Sequence, residues 1–455
     1  MKAPRVPAFY GMAMFLVFFL PFLGAAAMVL AACVAILSVV FVPLRNRRTS
    51  LLVLWLVIVL ATPPWISLQL AGYRIPVAAV ASLAVIVVSI GYSKLTWILT
   101  DSLALLLAVT CVLAVTISTS PLHLATQALF EWIACYAAGR FLLRGVNYPL
   151  VANRVAGLIG WAAVSQGLLQ YNVSQIWPFT YSAVGSRWTT LQERGGQIRA
   201  ELTMGHSIAL GAVLTILLPF ALMRNKTLID RILLVGVLLG VLATFSRSSM
   251  MAAFIAVAIS IFVSEMDAVK KGVAILGCAI VAWAAVLVFG DVVSSSSNSA
   301  ELTDSTAYRE GLLGLTQLIQ LLGVADSAIP APDGVTYTWG RFYSVDNGLL
   351  YVGLYLGLIA VVLYVAWILS GFRNSLRNGW NPFSTMVVAQ VPFLLTVAPI
   401  TQYQNVFWLF VGAGAATVRQ MGSKAPAGAL TATSDMSSGI RSVESFAIVP
   451  TKGKM

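Results

Sequence analysis

Charge is what this sequence has least of. Asp, Glu, Lys and Arg together make up 10% of its 455 residues, where ordinary soluble domains carry about 25%. With 59% hydrophobic residues, that leaves no room for a large soluble catalytic domain. Cysteine is scarce as well: Cys33, Cys111, Cys135 and Cys278 lie inside apolar runs without metal-ligand spacing, which reads as small core residues rather than a disulfide framework or a zinc site. No metal or cofactor is expected. No internal repeat is evident, which weakens an inverted-repeat transporter reading. The net charge of +12 does not point to nucleic acid, because the basic residues form short clusters between apolar runs, as cytoplasmic membrane loops do.

What is present is a succession of apolar runs long enough to cross a bilayer, each near the roughly 20 residues a spanning helix needs. They fall near 8–23, 25–43, 50–68, 75–92, 97–117, 124–142, 150–170, 203–223, 228–245, 250–264, 272–290, 345–369, 383–399 and 403–418. The expected fold is an all-α polytopic membrane protein of about 12–14 transmembrane helices. N-terminal helices occupy 1–170, central helices 203–290 and C-terminal helices 345–418, with larger outer loops at 171–202 and 291–344. The start of the chain, with Lys2 and Arg5 before an apolar run, resembles a signal peptide, but the apolar stretch resumes at once and reads as a retained first helix. Residues 419–455 are rich in Ser, Thr, Ala and Gly and are expected to form a disordered cytoplasmic tail.

Placing the N-terminus in the cytoplasm and alternating puts Arg45/Arg47/Arg48, Lys94, Arg140/Arg144, Arg224/Lys226/Arg231, Lys270/Lys271, Arg373/Arg377 and the tail inside, in accord with the positive-inside rule. The basic residues left outside are Arg74, Arg187, Arg194, Arg199, Arg247, Arg309 and Arg341, all arginine. Arginine's planar fork suits bidentate capture of phosphate better than lysine does. Tyr308, Tyr337, Trp339 and Tyr343, with Trp188, offer rings for stacking on sugars, or belong to an interfacial aromatic belt. The outer face thus reads as a surface for an anionic, sugar-like ligand.

Within it, Arg199 and His206 align on one face if the helix is continuous between them, and a histidine at a helix end is also often only a structural hydrogen-bonding residue. His123 lies in a short outer turn with no partner in sight. Thr244-Phe-Ser-Arg247-Ser-Ser sets an arginine between two short apolar helices, either as a snorkelling turn residue or as a phosphate ligand flanked by hydroxyl donors. Tyr308-Arg309-Glu310 opens an amphipathic segment that suits the membrane surface. Asp346 either caps the helix that follows it or orients and deprotonates an acceptor hydroxyl. Gly236-xxx-Gly240 and Gly353-xxx-Gly357 are small-residue packing patterns. Asp101, Glu131 and Arg140 are the ionisable residues expected at membrane depth, the places where a transporter or flippase would carry its function.

These segments, RAELTMGHSIALG from Arg199 to Gly211, Phe245-Ser-Arg247-Ser, Tyr308-Arg309 and DNGLLYVGLYLG from Asp346 to Gly357, resemble the O-antigen ligase and Wzy-type polysaccharide polymerase superfamily of bacterial inner-membrane glycosyltransferases. The resemblance covers about 190–370. It implies transfer of a glycan from polyprenyl pyrophosphate to an acceptor hydroxyl at the periplasmic face, without nucleotide sugar or metal. Arg199, Arg247 and Arg309 match the family's phosphate-binding arginines, and His206 matches the polar residue near the first of them. Asp346 stands where the family often has histidine, so the acceptor-activating role falls to Asp346 or His206. Arg341, Tyr308, Trp339 and Tyr343 are the candidate sugar contacts. Partners implied are the lipid-linked glycan, the bilayer, and chain-length and export proteins. General resemblance leans toward a repeat-unit polymerase for exopolysaccharide, capsule or O-antigen over a ligase.

Overall fold

The structure is a computed structural model. It describes residues 44–416 apart from 65, 71–72, 91–95, 118–121, 143–145, 171–191, 195–196, 225–226, 265–266, 268, 270, 273–275, 278–306, 309, 331–336, 341, 343–344, 378 and 399–400. The expected spans 8–23 and 25–43, most of 272–290 and the tail 419–455 lie outside the described residues. So do the termini, Arg187, Trp188, Cys33, Cys278 and the side chain of His123.

The described chain is mostly helical. Its helices are α1 (Leu44–Ala61), α2 (Val77–Ile90), α3 (Leu99–Ile117), α4 (Leu122–Gln127), a π-helical turn (Ala128–Ile133), α5 (Ala134–Leu142), α6 (Tyr148–Leu169), α7 (Ser207–Met223), α8 (Leu228–Ala243), α9 (Arg247–Val263), α10 (Gly348–Leu356), α11 (Leu358–Leu376), α12 (Pro382–Ala389), α13 (Val391–Thr396) and α14 (Thr401–Ala415). Three small antiparallel hairpins, Ser67–Leu70 with Tyr73–Pro76, Glu193–Arg194 with Gln197–Ile198, and Ile329–Pro330 with Tyr337–Thr338, sit in the connections. Among the described helices, α3 and α11 are long and apolar enough to cross a membrane, and several others are shorter and apolar.

The core is centred on α7 and α14. Leu210, Val213, Leu214, Ile216, Leu217 and Leu218 of α7 are all fully buried, and a helix that is apolar all round belongs in the middle of a bundle. In α14 every residue from Gln402 to Ala415 is buried, with Trp408 stacked on Trp367 of α11 at 3.7 Å between ring centres.

The helices α6 and α8 meet through the expected small-residue pattern. A methyl group on Gly240 would come within 2.6 Å of the Gly160 Cα, and the Gly236 carbonyl faces Gly160 directly; only glycine lets the backbones approach so closely. The second pattern behaves differently. Gly357 has φ +94 and splits the expected 345–369 span into α10 and α11. The amides of Leu358 and Ile359, which open α11, donate to the carbonyls of Gln320 (2.9 Å) and Leu321 (3.2 Å). The 383–399 span likewise divides at Gln390, the residue between α12 and α13.

Two clusters of charge hold opposite ends of the helix array. Where α7 ends and α8 begins, buried Asp230 closes a capping box with Thr227 and faces Arg224 at 3.7 Å and Arg154 at 3.8 Å. The other end of α7, 17 residues or about 25 Å away, carries the segments considered next.

Candidate functional site

The chain enters this end through a fixed, extended segment. The Arg199 amide donates to the Gln192 carbonyl and the Ala200 amide to the Ala243 carbonyl, both at 2.9 Å. The amides of Glu201 and Leu202 both donate to Gln166 Oε1, at 2.9 and 2.8 Å. Leu202 takes φ +47, a single 3₁₀ turn follows over Leu202–Met204, and Gly205 takes φ +64. The continuous helix expected between Arg199 and His206 is therefore absent. Two left-handed residues break it, and His206 begins α7 as its N-cap.

Arg199 and His206 are neighbours all the same. Burial, with the positive charge of Arg199 adding to it, pushes the His206 imidazole down to about 4, while Asp346 pulls the other way. Arg199 and His206, seven residues apart, thus share one electrostatic neighbourhood with the remote Asp346. His206 is neutral at ordinary pH, and its Nδ1 accepts the Ile208 amide at 3.2 Å. That places the imidazole proton on Nε2, so the second ring nitrogen is a hydrogen-bond donor.

Arg199 also reaches the second motif, donating from Nε to the Thr244 carbonyl at 3.0 Å. Thr244 follows α8, Phe245 takes φ +46, and Arg247 is the first residue of α9, with an exposed side chain. Of the hydroxyls around Arg247, expected as ligand donors, three are engaged in the fold, while the buried Ser249 hydroxyl has no hydrogen-bond partner among the described residues. Ser246 caps α9 by accepting the Ser249 amide (3.3 Å), Thr244 donates to the Val241 carbonyl (2.7 Å), and Ser248 bonds Thr396 (3.0 Å).

The third motif joins at the same place. Asn347 donates from Nδ2 to the Leu395 carbonyl at 2.8 Å, beside the Thr396 that holds Ser248. Its Oδ1 accepts the Leu350 amide at 3.0 Å, making Asn347 the cap of α10. The capping role open to Asp346 in the sequence belongs to its neighbour. Asp346 is exposed at the start of the helix, and its charge bears on His206.

The aromatic candidates divide. Tyr308 is half-buried with its ring 5.2 Å from that of Phe342. Trp339 is 2% exposed and packed edge-on against Tyr355 at 5.1 Å. This is core packing, so the expected stacking surface is not offered there. Arg309, Arg341 and Tyr343 lie outside the described residues.

Three residues that sequence reasoning passed over build this site. Gln166, at the end of α6, cradles two successive amides with one oxygen. Gln192 receives both the Arg199 amide and, through Oε1, the Ser207 hydroxyl at 2.9 Å. Glu201 is 2% exposed, with Oε2 buried and lacking a hydrogen-bond partner among the described residues. Burial pushes its carboxyl up to about 7 against the opposing pull of Arg199. The one sequence signal for Glu201 was its position two residues after Arg199.

The ionisable residues expected at depth are tied up. Asp101 takes Arg140 Nε at 2.8 Å and Nη2 at 2.9 Å, with the Tyr136 hydroxyl at 2.7 Å. Glu131, on the π-helical turn, accepts from Gln404. Among the described residues no group of three or more His, Cys, Asp or Glu is gathered for a metal ion. The chain matches no protein-family model, no curated protein and no solved structure.

Proposed function

We propose that this chain is a multi-pass membrane glycosyltransferase. It moves a glycan from a polyprenyl-pyrophosphate carrier to an acceptor hydroxyl at the periplasmic face of a bacterial inner membrane, with both termini cytoplasmic. The observation that carries the reading is the convergence of three separated motifs. Arg199 is bonded to the turn that leads into Arg247, the start of α9 is bonded to α13 through Ser248, and α13 is bonded to the cap beside Asp346. Apolar side chains exposed on several helices, such as Leu105 and Val109 on α3, Phe254 and Phe262 on α9 and Val362 on α11, suit a lipid surround.

In this reading the bond between the anomeric carbon and the diphosphate oxygen breaks, and a bond to the acceptor oxygen forms. The acceptor's proton passes to Asp346, an exposed carboxylate without a capping duty. The negative charge gathering on the leaving diphosphate is met by Arg199 and Arg247, with the Nε2–H of neutral His206 as a further donor. Arg309 completes the cationic set by resemblance, and Arg341, Tyr308 and Tyr343 contact sugar. A repeat-unit polymerase is favoured over a ligase, working with chain-length and export proteins. A transporter or flippase gains no support from Asp101 and Arg140, which satisfy each other.

The test is transfer by the purified protein in lipid nanodiscs, given a lipid-linked repeat unit. Wild type should lengthen the glycan and release polyprenyl diphosphate. Arg199→Lys should lose most of that turnover, since lysine offers neither the fork nor the Nε–H held by Thr244. Equal turnover by both would remove the site.

A further inference from the structure

The same site contains a carboxyl for which the transfer chemistry has no use. Glu201 is held by its own amide and that of Leu202 on Gln166, and it is buried at 2% exposure two residues from the diphosphate arginine. Its Oε2 has no hydrogen-bond partner among the described residues. A buried acceptor left unsatisfied is costly, and an ionised carboxylate in that position costs more than a neutral one. The position also works against the anion: an ionised Glu201 offsets the positive charge of Arg199, whereas a neutral Glu201 leaves that charge intact and adds an O–H donor.

We propose that Glu201 is the proton-carrying member of the Arg199 anion site, so that a diphosphate diester is bound together with a proton on Glu201. The inference rests on the diphosphate reading above and names how that site is regulated. The charged groups bearing on the segment are consistent with it. Arg199 opposes protonation of Glu201 in the empty site. His206 is held neutral and supplies no competing charge, and Asp346 acts on His206 from α10. When an anion takes up the charge of Arg199, that opposition is relieved and protonation of Glu201 becomes easier. Burial has already brought the carboxyl to about 7, so the coupling operates across the neutral range.

The experiment uses the full chain in nanodiscs and a short dialkyl diphosphate, a diester whose own charges do not titrate between pH 6 and 8.5. Wild-type affinity should fall as pH rises above 7, by up to about tenfold per unit. Calorimetry near pH 7.5, repeated in two buffers of different ionisation enthalpy, should record uptake of a proton on binding. Glu201→Gln should bind with little pH dependence, near the wild-type affinity at low pH, and Glu201→Asp should keep the dependence. No proton uptake by wild type, or an unchanged pH dependence in Glu201→Gln, overturns the role of Glu201 while leaving the diphosphate site standing. Equal binding by wild type and Arg199→Ala overturns the diphosphate reading itself and this inference with it.

Discussion

Arg199 Nε donates to the carbonyl of Thr244 at 3.0 Å. The bond joins an extended segment before α7 to the turn between α8 and α9, so one arginine positions the backbone that carries another, Arg247. It also fixes the guanidinium plane through its inner nitrogen, and a side chain locked in this way meets an anion with little further ordering.

Asp346 and Asn347 should separate cleanly on substitution. Asn347→Ala removes the α10 cap and is expected to cost about 1 kcal/mol, read as a lower thermal midpoint in nanodiscs. Asp346→Asn leaves the cap in place and should keep the midpoint while abolishing glycan transfer. A matching loss of stability in Asp346→Asn would return the aspartate to a structural role.

His206 carries two duties on two nitrogens, and one substitution divides them. Asparagine is among the best N-cap residues, so His206→Asn should preserve the start of α7 while losing the Nε2–H donor. Turnover should fall by roughly tenfold or more, on the scale of a lost transition-state hydrogen bond, with unchanged thermal stability. His206→Leu should lose both, and turnover near wild type in His206→Asn would confine the residue to capping.

How much of this was legible follows from what each residue's neighbours in sequence could reveal. Hydrophobic runs located α2, α3 and α6–α9 closely, because a helix buried or lipid-facing all round needs only length and apolarity. The breaks at Gly357 and Gln390 were hidden in equally apolar surroundings, since what ends those helices is a backbone angle and a distant turn at Gln320–Leu321. Arg199, His206, Arg247 and Asp346 were readable as chemistry. Their geometry was not, because Leu202 and Gly205, both at positive φ, break the helix that would align Arg199 with His206. Gln166 and Glu201 gave almost no local sign, as both act through burial against segments remote in the chain.

The α6–α8 contact should be intolerant of any side chain at its glycines. Gly240→Ala places a methyl 2.6 Å from the Gly160 Cα, a backbone atom that cannot move aside, and is expected to cost on the order of 1–3 kcal/mol. Thermal unfolding in nanodiscs reads this directly. A neutral Gly240→Ala would mean the two helices sit farther apart.

The pair of Asp101 and Arg140 is expected to be structural. Each side chain is under 10% exposed, and removing one partner leaves a buried charge, at a cost of about 3–5 kcal/mol. Asp101→Asn should therefore lower the yield of folded protein, while transfer per folded molecule stays near wild type. The reverse pattern, stable protein with no activity, would favour a transport function.

The most direct measurement is the glycan made by a deletion strain complemented with wild-type or Arg199→Ala protein at equal membrane abundance, with lipid-linked oligosaccharide and polymer resolved by size. Wild type should restore polymer, and Arg199→Ala should leave single repeat units accumulating on the polyprenyl carrier. Full-length polymer stranded on the carrier would assign the same site to a ligase. Normal polymer from Arg199→Ala would contradict the account.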